Sequence, residues 1–411
     1  MNVLQLMCSF HQGGSERQAI QLARLLKESG RYNVHLAAIN GEGVLRTDAE
    51  ALGFRDIPEF PLTSFYNLNY ARQLRRFARF LREREIAIVQ SSDFYTNIFG
   101  MMGAALARVP VRIAAKRETT GWRNGPQRFV ERCSYRLAHA VVANAEAVRS
   151  MLINQGVPAN KIITIYNGLD AKRVETPVNF NRDDALQIFG LPLSNEYRYV
   201  TMVANLRSPL KNYPMFLRAA RVVRAVIPEA RFVIAGEGKL LEPMRALAAE
   251  LGLSEQAFFI GRCQRIAELL ALTEVCAFSP SYGEGFSNSI LEYMAAARPV
   301  VATDVGGARE AIIEGETGYI VQPDDYVAMA ERIISLLRDP ERSRAMGEMG
   351  RRRVLENFSC EAQLERTHEL YERTLARALS QLSKALSRAP QQNAIERAMK
   401  FRSRAEGMRR R

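Results

Sequence analysis

Cysteine is scarce and scattered in this sequence: the five residues at 8, 133, 263, 276 and 360 form no C-x-x-C pair. An odd, dispersed set argues against a disulfide framework and a thiolate zinc site, and fits reduced thiols. Histidine is rarer still, four residues with none close to another, so no metal centre is expected. No D-x-D occurs, which removes the carboxylate clamp that would hold a metal-bound nucleotide diphosphate. No run approaches the roughly 18 apolar residues that span a bilayer. The first residues enter a strand pattern directly, without the basic, apolar and small-residue succession of a secretory leader, and a cytoplasmic location is expected.

What is present is an alternation of strand and helix patterns, the signature of parallel sheets covered by helices. VLQLM, NVHLAAI, IAIVQSS, VRIAAKR, HAVVANA and KIITIYN read as strands of one half. YVTMVAN, RFVIAGEG, AFFIG, EVCAFSP, PVVATD and GYIVQ read as those of the other, beyond a polar stretch holding Pro177 and Pro192. At 411 residues, 47% apolar and 25% charged, the chain exceeds one ordinary core. The expected class is α/β: two doubly wound, Rossmann-like parallel-sheet domains, 1–170 and 196–357, joined by 171–195. They would face each other across a cleft at the carboxyl ends of their strands. Helical patterns at 326–337, 341–356 and 360–375 follow.

Net charge is +13, and +8 of it falls in residues 377–411, where ten Lys or Arg meet two Glu. Leu375, Leu379, Leu382 and Leu386 recur at helical spacing, so the first half of this tail is amphipathic. It reads either as a segment held to an anionic membrane surface, peripheral on the inner face of the cytoplasmic membrane, or as a solvated, frayed end. Nucleic-acid binding has the charge but no aromatic or motif support, and is not expected.

The chemistry concentrates in two segments. In SPSYGEGFSNSILEYMAAARPVVATDVGG (279–307), Pro280, Gly283 and Gly285 make a loop and Ser287 is the expected N-cap of a short helix that Pro299 ends. Glu284 then precedes the helix and Glu292 lies about one turn inside it. A helix N-terminus attracts anions. Two carboxylates beside it make sense if they bind the neutral hydroxyls of a sugar while the helix, with N–H groups around Gly285, Phe286 and Ser287, binds its phosphate. Two solvated glutamates on a surface helix would give the same pattern. Upstream, in YVTMVANLRSPLKNYPMFLRAARVV, Arg207 and Lys211 lie on a loop ahead of a helix opened near Pro214. A guanidinium fork and an ammonium there suit a diphosphate.

These clusters, in this order and about 80 residues apart, resemble the retaining glycosyltransferases of family 4, with their two-domain GT-B fold. The resemblance runs from LQLMCSFHQGGSERQ through KIITIYNGLD to the glutamate pair. It implies transfer of a sugar from a UDP- or GDP-linked donor to a saccharide or lipid-linked acceptor in polysaccharide or glycolipid synthesis. No permanently bound cofactor and no metal are implied. GGSER resembles the family's GGAER and places Gly14 at the cleft. Gly236, in Gly236-Glu237-Gly238, and Arg262, after Gly261, fall on the nucleotide side. Glu292 would hold the ribose, Glu284 the transferred sugar, and Arg207 and Lys211 the departing diphosphate. The resemblance also implies a last helix, 358–376, that returns to the first domain.

One position departs from the family. Many relatives carry a histidine where VRIAAKRE ends, and here that place holds Lys116-Arg117-Glu118. An arginine stays protonated and cannot serve as a base. Arg117 is expected instead to bind a phosphate, carboxylate or hydroxyl of donor or acceptor. Asn167-Gly168 reads as a chain reversal, and Gly306-Gly307 as either a turn or a close approach to ligand. A GT-B-fold epimerase and a non-catalytic, membrane-docked sugar-nucleotide-binding protein are the alternatives.

Overall fold

The β-branched runs become twelve strands in the computed structural model, which describes residues 1–119 and 123–387. The first six are β1 (Asn2–Met7), β2 (Asn33–Ala38), β3 (Ile88–Ser91), β4 (Val111–Lys116), β5 (Ala140–Ala143) and β6 (Ile162–Thr164). The second six are β7 (Arg198–Val203), β8 (Ala230–Ala235), β9 (Ala257–Gly261), β10 (Thr273–Phe278), β11 (Val300–Thr303) and β12 (Gly318–Val321). They form two all-parallel sheets, in the orders β2-β1-β3-β4-β5-β6 and β12-β11-β10-β7-β8-β9. Parallel sheets of this kind are buried on both faces. In the second, Val200 and Met202 pack with Phe216 and Ile333 of the helices Tyr213–Val226 and Tyr326–Arg338, while Tyr199 and Cys276 join the opposite layer.

The strand orders position the site. The winding direction reverses between β1 and β3 in one sheet and between β7 and β10 in the other. Loops leaving neighbouring strands at such a switch diverge and open a crevice at the carboxyl edge.

Two segments differ from the sequence reading. The connection 171–195 is folded rather than a plain polar linker. It carries the helix Arg182–Ile188 and buries Leu186 and Leu191 in one cluster with Leu269 and Leu270. The last helix, Cys360–Ser387, runs without a break through the expected boundary at 376. Its Leu370 and Tyr371 are buried with Val3, Tyr32 and Ile113 of the first domain, and Leu375 and Ala378 extend that contact. Tyr371 Oη donates to Gln90 at 2.6 Å and accepts from Gln5 at 2.9 Å. Residues 388–411, most of the expected cationic tail, lie outside the described residues. Among the described residues no helix is long and apolar enough to cross a membrane.

Candidate functional site

Between the two switch points lies a cavity of about 360 Å³. Glu284, Arg207, Lys211, Glu292, Gly14, Phe286, Ser287, Gly236, Arg262 and Arg117 all line it; Gly285 does not.

The second domain supplies the charged wall. The loop after β7 carries Arg207 and Lys211 and ends at Asn212, whose left-handed backbone (φ 47°) and side chain cap the helix Tyr213–Val226 by accepting from Met215 N at 3.3 Å. Gly236 and Gly238 hold that loop. A Cβ on Gly236 would lie 1.8 Å from Ala204 O, and one on Gly238 2.4 Å from the Leu206 carbonyl carbon. The loop after β10 carries Glu284, and Ser287 caps the helix Asn288–Ala295 by accepting from Ile290 N at 3.4 Å. Lys211 Nζ and Glu284 Oε1 are in direct ion-pair contact, joining the two loops. Arg207 reaches Glu237 at 3.2 Å, both about half exposed (48% and 51%). Glu292, only 6% exposed, faces Arg17 at 4.0 Å and Arg173 at 3.6 Å.

The first domain supplies a polar floor. Asn167 Nδ2 donates to Phe286 O at 2.8 Å and Asn288 Oδ1 at 2.9 Å, and its Oδ1 accepts from Arg117 Nη1 at 2.9 Å. Gln18 donates to Asn288 Oδ1 at 3.2 Å, and Asn288 to Gly14 O at 3.4 Å. Asn167 is therefore a strut between domains as well as a turn residue. Gly285 belongs to the same seam. Its Cβ would lie 2.3 Å from Arg117 O and 2.4 Å from Asn144 Oδ1, so the absent side chain permits the domains to meet here. Gly306 (φ 60°) likewise approaches Glu284 O, where a Cβ would lie at 2.4 Å.

Arg117 Nε is buried without a hydrogen-bond partner, and burial draws this guanidinium down to about 10, against Glu16 and Asp93, which act to raise it. Beside it, Glu118 lines the cavity and is pushed up to about 7, chiefly by burial and then by Glu131, Asp93 and Glu284. Lys116 contacts Glu118 at 3.3 Å and Glu131 at 3.1 Å. Among the described residues no three His, Cys, Asp or Glu gather as metal ligands would.

Sequence reasoning did not find Arg17, Arg173, Glu118, Asn144 or Asn288. Arg17 had a signal, one helical turn beyond the Gly13-Gly14 turn. Glu118 stands next to Arg117 in the chain and is held by Lys116 and Arg123 of its own domain, while Arg173, Asn144 and Asn288 enter where the two domains meet.

Two family models match: Glycosyltransferase Family 4 over residues 12–173 and Glycosyl transferases group 1 over residues 183–353. The chain is 34% identical over 203 residues to the putative glycosyltransferase EpsD of Bacillus subtilis (strain 168), covering 49% of each. It is 31% identical over 229 residues to the N-acetyl-alpha-D-glucosaminyl L-malate synthase of Bacillus anthracis, covering 55% of this chain and 58% of that one. The chain thus spans about half the length of these relatives. Among solved structures, Anabaena Alr3699/HepE in complex with UDP matches with a TM-score of 0.80 at 19% identity, over 90% of this chain and 100% of that one. The same protein with UDP-glucose matches with a TM-score of 0.78 at 20% identity, over 90% and 99%. At these identities the likeness shows the two-domain GT-B fold.

Proposed function

Since the chain belongs to the glycosyltransferases of family 4 and group 1, we propose that it moves a hexose-type sugar from a UDP- or GDP-linked donor to an acceptor hydroxyl with retention of configuration. A cytoplasmic enzyme of polysaccharide or glycolipid assembly is the corresponding role, with a saccharide or lipid-linked acceptor at an anionic membrane surface reached through residues 377–411. One observation carries the reading: Arg207 and Lys211 from the loop after β7, and Glu284 and Glu292 from the loop and helix after β10, line a single cavity.

The residues divide by charge. Arg207 and Lys211 face the negative charge that grows on the departing diphosphate, joined by the N-terminal N–H groups of Asn288–Ala295. Their charges are fixed before the reaction, so little reorganisation is required in the transition state. Glu284, held by Lys211, binds hydroxyls of the transferred sugar and favours positive charge on its ring. Glu292 takes the ribose hydroxyls, with Gly236 and Arg262 on the nucleotide side and Gly14 and Arg117 on the sugar and acceptor side. The leaving phosphate, on the face where the acceptor attacks, takes the acceptor proton, so no histidine is needed at Arg117. The test is a donor screen that follows nucleotide release, with product anomeric configuration read by NMR and thermal shift read with UDP and GDP. No release from any donor and no nucleotide stabilisation refute the reading; an inverted product refutes retention.

A further inference from the structure

Far from the cleft, at the amino ends of β4, β5 and β6, a second cavity of about 330 Å³ opens between the first sheet and the last helix. Arg112, Arg136, Lys161, Arg373 and Arg377 line it, and among its described lining residues there is no Asp or Glu.

Two of these cations are fixed in place. Arg112 Nε donates to Leu137 O at 2.7 Å and its Nη1 to Val109 O at 3.0 Å. Lys161 Nζ donates to Ala138 O at 2.9 Å and Arg136 O at 3.2 Å. Both thus sit where the helix Gly125–Leu137 ends, with carbonyl groups of its last residues and C-cap among their partners. The other three differ. Arg136, Arg373 and Arg377 are exposed, and none forms an ion pair with a described residue. Arg373 and Arg377, four residues apart on one helix face, turn toward the cavity. Like charges held this close repel: burial and then Arg112 lower the Lys161 ammonium, and burial with Arg112 and Lys161 brings His139 down to about 4. A neutral imidazole adds no charge of its own. The cavity is therefore cationic, anchored on one side by carbonyl-bound side chains and lined on the other by guanidinium forks without ion-pair partners among the described residues.

We propose that this cavity is a second anion site, distinct from the cleft, that takes a phosphate-bearing group. Phosphate satisfies several guanidinium forks at once and relieves their repulsion. The group comes from a soluble phosphate ester or from a phospholipid headgroup, and the chemistry of recognition is the same.

The experiment uses the full chain and a combined variant, Arg136→Ser and Arg373→Ser, both outside residues 377–411, with the cleft kept saturated by the stabilising nucleotide. Both positions are exposed, and an unchanged nucleotide-induced thermal shift establishes that the variant is folded. Binding of inorganic pyrophosphate is measured by calorimetry at constant ionic strength, and retention on phosphatidylcholine vesicles with and without phosphatidylglycerol by sedimentation. The expected result is a loss of at least about tenfold in affinity for one probe on substitution. Loss for pyrophosphate alone assigns the soluble source; loss on phosphatidylglycerol vesicles assigns the lipid source. Identical isotherms and identical vesicle retention in both proteins, or binding matched by chloride at equal ionic strength, overturn the site. Either outcome leaves the cleft reading intact, because nucleotide release is scored separately.

Discussion

Arg207→Ala separates catalysis from stability. The Arg207 and Glu237 side chains are 48% and 51% exposed and 3.2 Å apart, so their pair contributes about 0–1 kcal/mol to folding. Loss of one preorganised donor at a departing phosphate costs about 2.7–4 kcal/mol of transition-state stabilisation, or about 10²–10³ in kcat. The substitution should therefore leave the melting temperature within a few degrees and nearly abolish turnover. Glu237→Ala is the control, since it removes the same surface pair but leaves the guanidinium, and turnover should stay within about threefold. Lys211→Ala should show both effects. Its ammonium and the Glu284 carboxylate are 21% and 18% exposed, and removing one strands the other, at about 1–3 kcal/mol of stability besides the kinetic loss. Nucleotide release under saturating donor gives kcat, and thermal unfolding gives the rest. A fall below tenfold in both Arg207→Ala and Lys211→Ala would remove these cations from the chemistry.

Glu292→Ala should weaken nucleotide binding, because it removes the proposed ribose acceptor and leaves Arg17 and Arg173 without the carboxylate both contact; an unchanged nucleotide affinity by calorimetry would count against that role. Gly285→Ala should lower activity without touching ligand, since its Cβ would meet Arg117 O at 2.3 Å and force the domains apart at a cost of about 1–3 kcal/mol. Wild-type turnover and melting in that variant would disprove the seam. His139 titrates below its unfolded value of 6.5, at about 4, so the stability it contributes is complete above pH 6.5 and is lost as pH falls toward 4. His139→Gln should unfold with a flatter pH dependence across that window, and parallel curves would refute this.

The sequence by itself determined the twelve strands, the capping of Asn288–Ala295 by Ser287 and the loop positions of Arg207, Lys211 and Glu284. Those features are local, set by side-chain periodicity, turn residues and a cap within a few residues of one another. Asn167 shows where that reach stops: the dipeptide reads as a turn, yet its side chain bonds Phe286 and Asn288, more than a hundred residues away. Gly285 reads from sequence as a loop glycine near the ligand, and that its missing Cβ also lets Arg117 and Asn144 approach shows only in the fold. Only the tertiary structure decided the sheet orders, the Lys211–Glu284 contact, the two arginines facing Glu292 and the cationic cavity under the last helix. Each depends on where one domain or helix docks on another, and docking is fixed by the packing of surfaces whose residues lie far apart in the chain.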